Sequence, residues 1–174
     1  MARLGYAVAA IVVALDQLTK WLILTQVFEL PSPVGENSWH PPIEVTGFFN
    51  LVMVWNRGVS FGLFSHDDDT VRWILIGVAL TITAVLVIWL RRNDRPFLAI
   101  VLGLIIGGAI GNVIDRLRFG AVADFFDVHL FGYHWPAFNI ADSAISIGVV
   151  FMIVDGLFGR PGGKAALQRG VDRD

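Results

Sequence analysis

Four stretches of this chain stay apolar for the length needed to cross a bilayer: roughly 4–28, 71–90, 97–114 and 138–158. A hydrocarbon core about 30 Å thick takes about 20 residues of α-helix, and inside it every backbone N–H and C=O must be satisfied by the chain itself. The fold expected is therefore an all-α membrane protein of four transmembrane helices. With 55% hydrophobic residues in 174 positions, little is left over for a soluble domain, and residues 1–174 read as one integral membrane domain. Arg3 followed by Ala7 to Leu15 resembles the start of a signal peptide. The apolar pattern nevertheless continues through Trp21 to Phe28 without a cleavage site, so the segment is read as the first span.

Basic residues orient the bundle. Arg3, the cluster Arg91, Arg92 and Arg95, and the tail residues Arg160, Lys164, Arg169 and Arg173 fall on one side of the four-helix arrangement, against Arg57, Arg72, Arg116 and Arg118 on the other. By the positive-inside rule both termini are cytoplasmic, and the loops 29–70 and 115–137 face outward. The net charge of −2 offers no basic excess for nucleic acid, which is excluded as a partner. The absence of cysteine removes disulfides, a thiol nucleophile and thiolate metal ligands.

The first outer loop opens with Pro31, Pro33, Gly35, Pro41 and Pro42, which break regular helix. Phe48 to Trp55 follows, rich in aromatic and β-branched residues, and is expected to be extended. It either packs on the membrane surface or a lipid chain, or forms a small hairpin that covers the helix ends. Gly103, Gly107 and Gly111 recur at four-residue spacing, a stripe that lets another backbone approach. At Gly111, nearer the outer face, the space either serves packing or also admits a substrate backbone.

The costly polar residues gather at one depth. Asp142 stands about one turn inside the fourth apolar helix, where an ionised carboxylate needs a partner or a task. Asp124, in an extended stretch of the preceding loop, is its natural partner. Two carboxyls held close share a proton, so one can deprotonate water while the other protonates a leaving group, without a metal. Asp115 reaches the same level after about 27 Å of helix counted from Phe97. Asp16 and Lys20 share a helix face and are expected to form an ion pair that ties the first helix to an outer loop. Asp115 and Arg116 are expected to position the loop bearing Asp124, while Asn56 and Asn112 either bind substrate backbone or orient the carboxyls, or only satisfy loop carbonyls. Asn139 lies beneath the same interface. His40, His66, His129 and His134 lack metal-ligand spacing and read as solvated. Two other chemistries compete: an ion-coupled transporter, which needs polar residues at successive depths, and a Ser/Lys peptidase using Lys20 with Ser60 or Ser143.

Five segments in order carry a further signal: Asp16-Gln17-Leu18-Thr19-Lys20, Asn56-Arg57-Gly58-Val59-Ser60-Phe61-Gly62, Gly107 to Arg116, the stretch around Asp124, and Phe138-Asn139-Ile140-Ala141-Asp142. Together they resemble the lipoprotein signal peptidases, or signal peptidase II. The resemblance implies a membrane aspartyl endopeptidase of the bacterial cytoplasmic membrane that removes the signal peptide of a prolipoprotein just before a diacylglyceryl-modified cysteine. It implies Asp124 and Asp142 as the catalytic pair, with Asp16, Lys20, Asn56, Asn112, Asp115, Arg116 and Asn139 as supporting polar residues. It also implies a small extracytoplasmic β-sheet before Asn56 and a short helix after it. Lipidated precursors and membrane lipid are the expected partners, a monomer the expected state, and neither metal nor cofactor is expected.

Overall fold

The structure, a computed structural model, describes residues 1–30, 40–58 and 69–158. Helix α1 (Ala2–Leu22) continues into a π-helical turn, Ile23–Val27, and is followed by α2 (Asp69–Arg91), α3 (Pro96–Phe119) and α4 (Ile140–Phe158). All four are long and apolar enough to span a membrane. Between them lie four strands: β1 (Ile43–Thr46), β2 (Phe49–Asn56), β3 (Val122–Leu130) and β4 (Tyr133–His134). The expected short helix after Asn56, together with Ser60 and His66, falls outside the described residues.

Helix α3 is the axis of the bundle. It packs on the other three helices, most extensively on α1 and α4. The glycine stripe makes this possible: a Cβ on Gly103 or Gly107 would meet the carbonyl oxygens of Gly5 or Ala9 at 2.5 and 2.7 Å, and one on Gly108 would meet that of Ala141 at 2.4 Å. Such backbone proximity gives dispersion contacts that replace the hydrophobic drive absent in lipid. Away from α3, residues such as Ile11, Leu18, Ile74, Val85, Ile147 and Val150 are exposed, as a lipid-facing surface requires.

The largest boundary difference from the sequence expectation is at the end of the third span. Helix α3 does not stop at residue 114; it runs to Phe119 and ends at Gly120, whose φ of 78° supplies the left-handed stop and whose N–H bonds to the Arg116 carbonyl. Arg116 and Arg118 in the last turn suit the negative end of the helix. Asp115 and Arg116 therefore stand on a rigid helix, and the rest of the expected loop 115–137 is largely strand.

The sheet is antiparallel in the order β1-β2-β3-β4. Leu51 pairs with Phe126 but Val54 with Asp124, so β2 holds one residue more than β3 between those pairs. This bulge reverses the side-chain parity of β2 beyond it. Asn56, opposite Val122, then lies on the same sheet face as Asp124. The other face carries Met53, Trp55 and Ala123, which pack with Leu24 and Phe28 at the end of α1.

Candidate active site

Strand β3 begins three residues after α3 ends, and α4 begins with Ile140, so Asp124 and Asp142 enter one site from a strand and from a helix N-terminus. Three asparagine amides hold them. Asn56 Nδ2 donates to Asp124 Oδ2 at 3.0 Å, Asn139 Nδ2 donates to Asp124 Oδ1 at 2.7 Å, and Asn112 Nδ2 donates to Asp142 Oδ1 at 2.8 Å. The fourth carboxyl oxygen, Asp142 Oδ2, accepts from the Asn139 backbone N–H at 3.3 Å.

Each amide is itself oriented. Asn139 caps α4: its Oδ1 accepts the Asp142 N–H at 2.9 Å while the Asp142 carboxyl reaches back to the Asn139 N–H. This is a reciprocal capping box with the carboxyl at its third position. Asn56 Oδ1 accepts the Gly58 N–H at 2.8 Å, which turns its NH₂ toward Asp124. Gly58 has φ of 88°, and a Cβ there would strike Leu75 Cδ1 at 2.3 Å, so the turn that aims Asn56 needs glycine.

Burial and the neighbouring Asp142 charge, opposed by the Asn56 and Asn139 donors, push the Asp124 carboxyl up to about 7. A carboxyl in this state can take up or give up a proton near neutrality, as acid–base chemistry requires. The Arg116 guanidinium stands within electrostatic reach of Asp142, Asp115 and Asp124, and donates to the Asn112 carbonyl at 3.3 Å.

Beneath the pair lies a dry ionic cluster. Asp16, Lys20 and Asp115 are all buried, and the Lys20 ammonium contacts Asp16 Oδ2 at 2.8 Å and Asp115 Oδ2 at 2.7 Å. The expected Asp16–Lys20 pair forms; its direct anchors are the α3 carboxylate Asp115 and the start of α4, and Asp115 in turn holds β3 of the outer loop through the Ala123 N–H. Gln17, which no charge signal singled out, bridges the same carboxylates from its Nε2 at 3.1 and 3.0 Å. Its position inside the first motif was the available clue. At Gly111 the space is taken by Asp16, whose Oδ2 lies 2.6 Å from where a Cβ would be; the glycine admits a carboxylate, not a substrate backbone.

The remaining expectations resolve simply. His129 and His134 are not merely solvated: they stack at 4.8 Å, with His134 Nδ1 on Asp127 at 2.8 Å and His129 Nε2 on Asn50 Oδ1 at 3.3 Å. Asn50 also donates to Asp127 at 2.9 Å, making a polar pin across β2 and β3. Burial raises Asp127, but the hydrogen bonds from His134 and Asn50 outweigh it and hold the carboxyl below its ordinary range. His40 packs on Phe28 at 4.6 Å. Ser143 donates to the Asn139 carbonyl at 2.9 Å, and Lys20 is committed to two carboxylates, so neither is arranged as a Ser/Lys couple. Among the described residues, the interior between the two ends is filled by Ala9, Leu86, Leu90, Val101, Leu102, Ile105 and Ile106, which gives an ion no polar path.

Four spans capped by a sheet, with two hydrogen-bonded carboxyls at the junction, define a multi-pass membrane protein with a polar site at one end of its bundle. The family model for signal peptidase (SPase) II matches residues 8–158. The lipoprotein signal peptidase of Methylobacterium sp. (strain 4-46) is 42% identical over 95% of each chain. That of Rhodopseudomonas palustris (strain TIE-1) is 45% identical over 94% of this chain and 97% of its own. A bacterial membrane enzyme solved by the in meso method superposes with a TM-score of 0.71 at 29% identity, covering 92% of this chain and 93% of the other. The chain belongs to the signal peptidase II family, and is a membrane peptidase.

Proposed function

We propose that this protein is an aspartic endopeptidase of the bacterial cytoplasmic membrane that cleaves prolipoproteins just before their diacylglyceryl-modified cysteine, with Asp124 and Asp142 as its acid–base pair. The observation that carries this is the arrangement of those two carboxyls, each oxygen held by one neutral donor, with Asp124 raised to about 7. The ionised carboxyl takes a proton from water as the water oxygen attacks the scissile carbonyl carbon. The protonated carboxyl donates to the departing amide nitrogen as the C–N bond breaks. One proton is taken and one given, so the pair ends the cycle in its starting charge state. Neutral amides suit this better than cations, because they favour the ionised form more weakly and leave the protonated form accessible.

Topology and substrate support each other. The basic residues Arg91 and Arg95 belong to the bundle end opposite the sheet, in contact with Tyr6 and Asp155, which favours cytoplasmic termini and an outward-facing pair. A signal helix would then descend beside the bundle, with its acylated cysteine at the outer interface. The exposed Val54, paired directly with Asp124, offers apolar surface for that lipid.

Incubating the purified protein with a diacylglyceryl-modified precursor and an unmodified control, followed by mass analysis, tests this. Single cleavage before the modified cysteine, far faster than on the control, is the expected result. No cleavage, or cleavage at another bond, overturns it; outside labelling of a cysteine introduced at residue 92 in intact cells overturns the orientation.

A further inference from the structure

The polar residues below the pair are connected in a way that the family resemblance does not require. Asp16 Oδ1 accepts the backbone N–H of Ala141 at 3.0 Å, and Ala141 is the residue immediately before Asp142. Asp115 Oδ2 accepts the backbone N–H of Ala123 at 3.1 Å, and Ala123 is the residue immediately before Asp124. One buried carboxylate thus holds each arm of the site by the peptide that leads into it. The two carboxylates come from different helices, α1 and α3, and would repel each other across the dry interface. The Lys20 ammonium lies between them, 2.8 Å from Asp16 Oδ2 and 2.7 Å from Asp115 Oδ2. The Gln17 amide adds a second, neutral bridge.

We infer that Lys20 is a positioning residue that sets the separation of the two active carboxyls, by joining the carboxylate that grips the peptide before Asp124 to the one that grips the peptide before Asp142. The role rests on Asp124 and Asp142 being the acid–base pair proposed above. It goes beyond a salt bridge that merely stabilises helices, because both of its arms end on the reactive strand and the reactive helix. Asp16 also sits at the N-terminus of α4, where backbone N–H groups favour an anion. Removing the ammonium leaves two buried carboxylates without a cation; they move apart and carry the two peptides with them. A longer distance between Asp124 and Asp142 weakens their mutual repulsion. The charged and donor groups that face Asp124, namely Asp142, Arg116, Asn56 and Asn139, are otherwise unchanged in identity.

The test is Lys20→Met in the purified full chain, assayed on a diacylglyceryl-modified precursor with turnover expressed per folded molecule. Expected are a fall in kcat of about tenfold or more with KM within about twofold, and an alkaline limb of the pH profile displaced to lower pH. If Lys20→Met does not fold, Lys20→Met/Asp115→Asn replaces it, since it removes the stranded charge and keeps an oxygen for the Ala123 N–H; the tie between the two arms is still lost but no repulsion is created, so a smaller fall in kcat in the same direction is expected. Wild-type kcat per folded molecule with an unmoved alkaline limb, whatever the loss of melting temperature, overturns the positioning role and leaves a structural ion pair. Failure of the underlying assignment is distinct: it shows as retained turnover in Asp124→Asn or Asp142→Asn, which Lys20 variants do not address.

Discussion

The two ends of this bundle use the same chemistry to opposite effect. At the far end Arg95 makes a two-nitrogen ion pair with Asp155, and Arg91 Nε donates to Tyr6 Oη at 2.9 Å, all at the surface. At the sheet-bearing end Lys20 is paired with Asp16 and Asp115, side chains that are 0–3% exposed. A surface pair is screened and adds little, whereas a buried one costs desolvation that its attraction barely repays. Membrane proteins rarely tolerate such a cost without a task. The difference teaches where to look: the far end ties helix ends together, and the costly end holds backbone N–H groups next to the proposed acid–base pair.

The largest effect that separates the ends is on chemistry. Asp124→Asn and Asp142→Asn keep shape but cannot pass the proton, so each is expected to lose turnover by about 10²–10⁴-fold while remaining folded. Because the two act as a unit, the double variant should be little slower than either single one. Substantial turnover by either single variant, in protein free of wild type, breaks the assignment.

A second contrast uses glycines. A methyl group at Gly111 would lie 2.6 Å from Asp16 Oδ2, while at Gly77 nothing stands within 4 Å. Gly111→Ala should displace Asp16 and lower kcat by about 10- to 100-fold, the order expected for misplacement near 1 Å. Gly77→Ala should leave kcat and melting temperature near wild type. Equal behaviour of the two would show that the Asp16 contact does not matter for positioning.

The pH profile sharpens the picture further. With Asp124 raised to about 7, the pair loses its shared proton above that value, so kcat/KM should fall on the alkaline side from about pH 7. The Asn56 donor favours the ionised form, so Asn56→Ala should move this limb upward. The same group has a stability consequence. Its folded value lies above the ordinary 3.8, so the folded state binds the additional proton, and its contribution to stability declines as pH rises from 3.8 to about 7. Chemical denaturation at several pH values, comparing wild type with Asp124→Asn, measures that slope. A downward limb in Asn56→Ala contradicts the donor role.

The smallest effect belongs to the far end. Arg95→Ala, despite removing a good ion pair, should leave kcat and KM within about twofold of wild type. A loss comparable to that of Lys20 variants would erase the distinction between the ends.

What could be read from residues alone follows from the bilayer. Lipid satisfies no backbone hydrogen bonds, so spanning length and apolar content define four helices, and a carboxylate such as Asp142 in that setting points to function by its cost. The five short motifs were equally legible, because family and candidate pair depend on residue identity in order. Three-dimensional packing decided the rest. The aromatic and β-branched content of Phe48 to Trp55 indicates a strand, but the bulge that turns Asn56 to the face of Asp124 arises from its pairing with β3. The i to i+4 spacing of Asp16 and Lys20 indicates a pair, but not that Asp115, far along the chain, completes it. Nor does any local pattern reveal that Asp16 and Asp115 receive the N–H groups before Asp142 and Asp124. Local sequence governs what one helix or strand prefers. The separation of two carboxyls on different elements is set by long-range hydrogen bonds and close helix packing, which exist only once the whole chain has assembled.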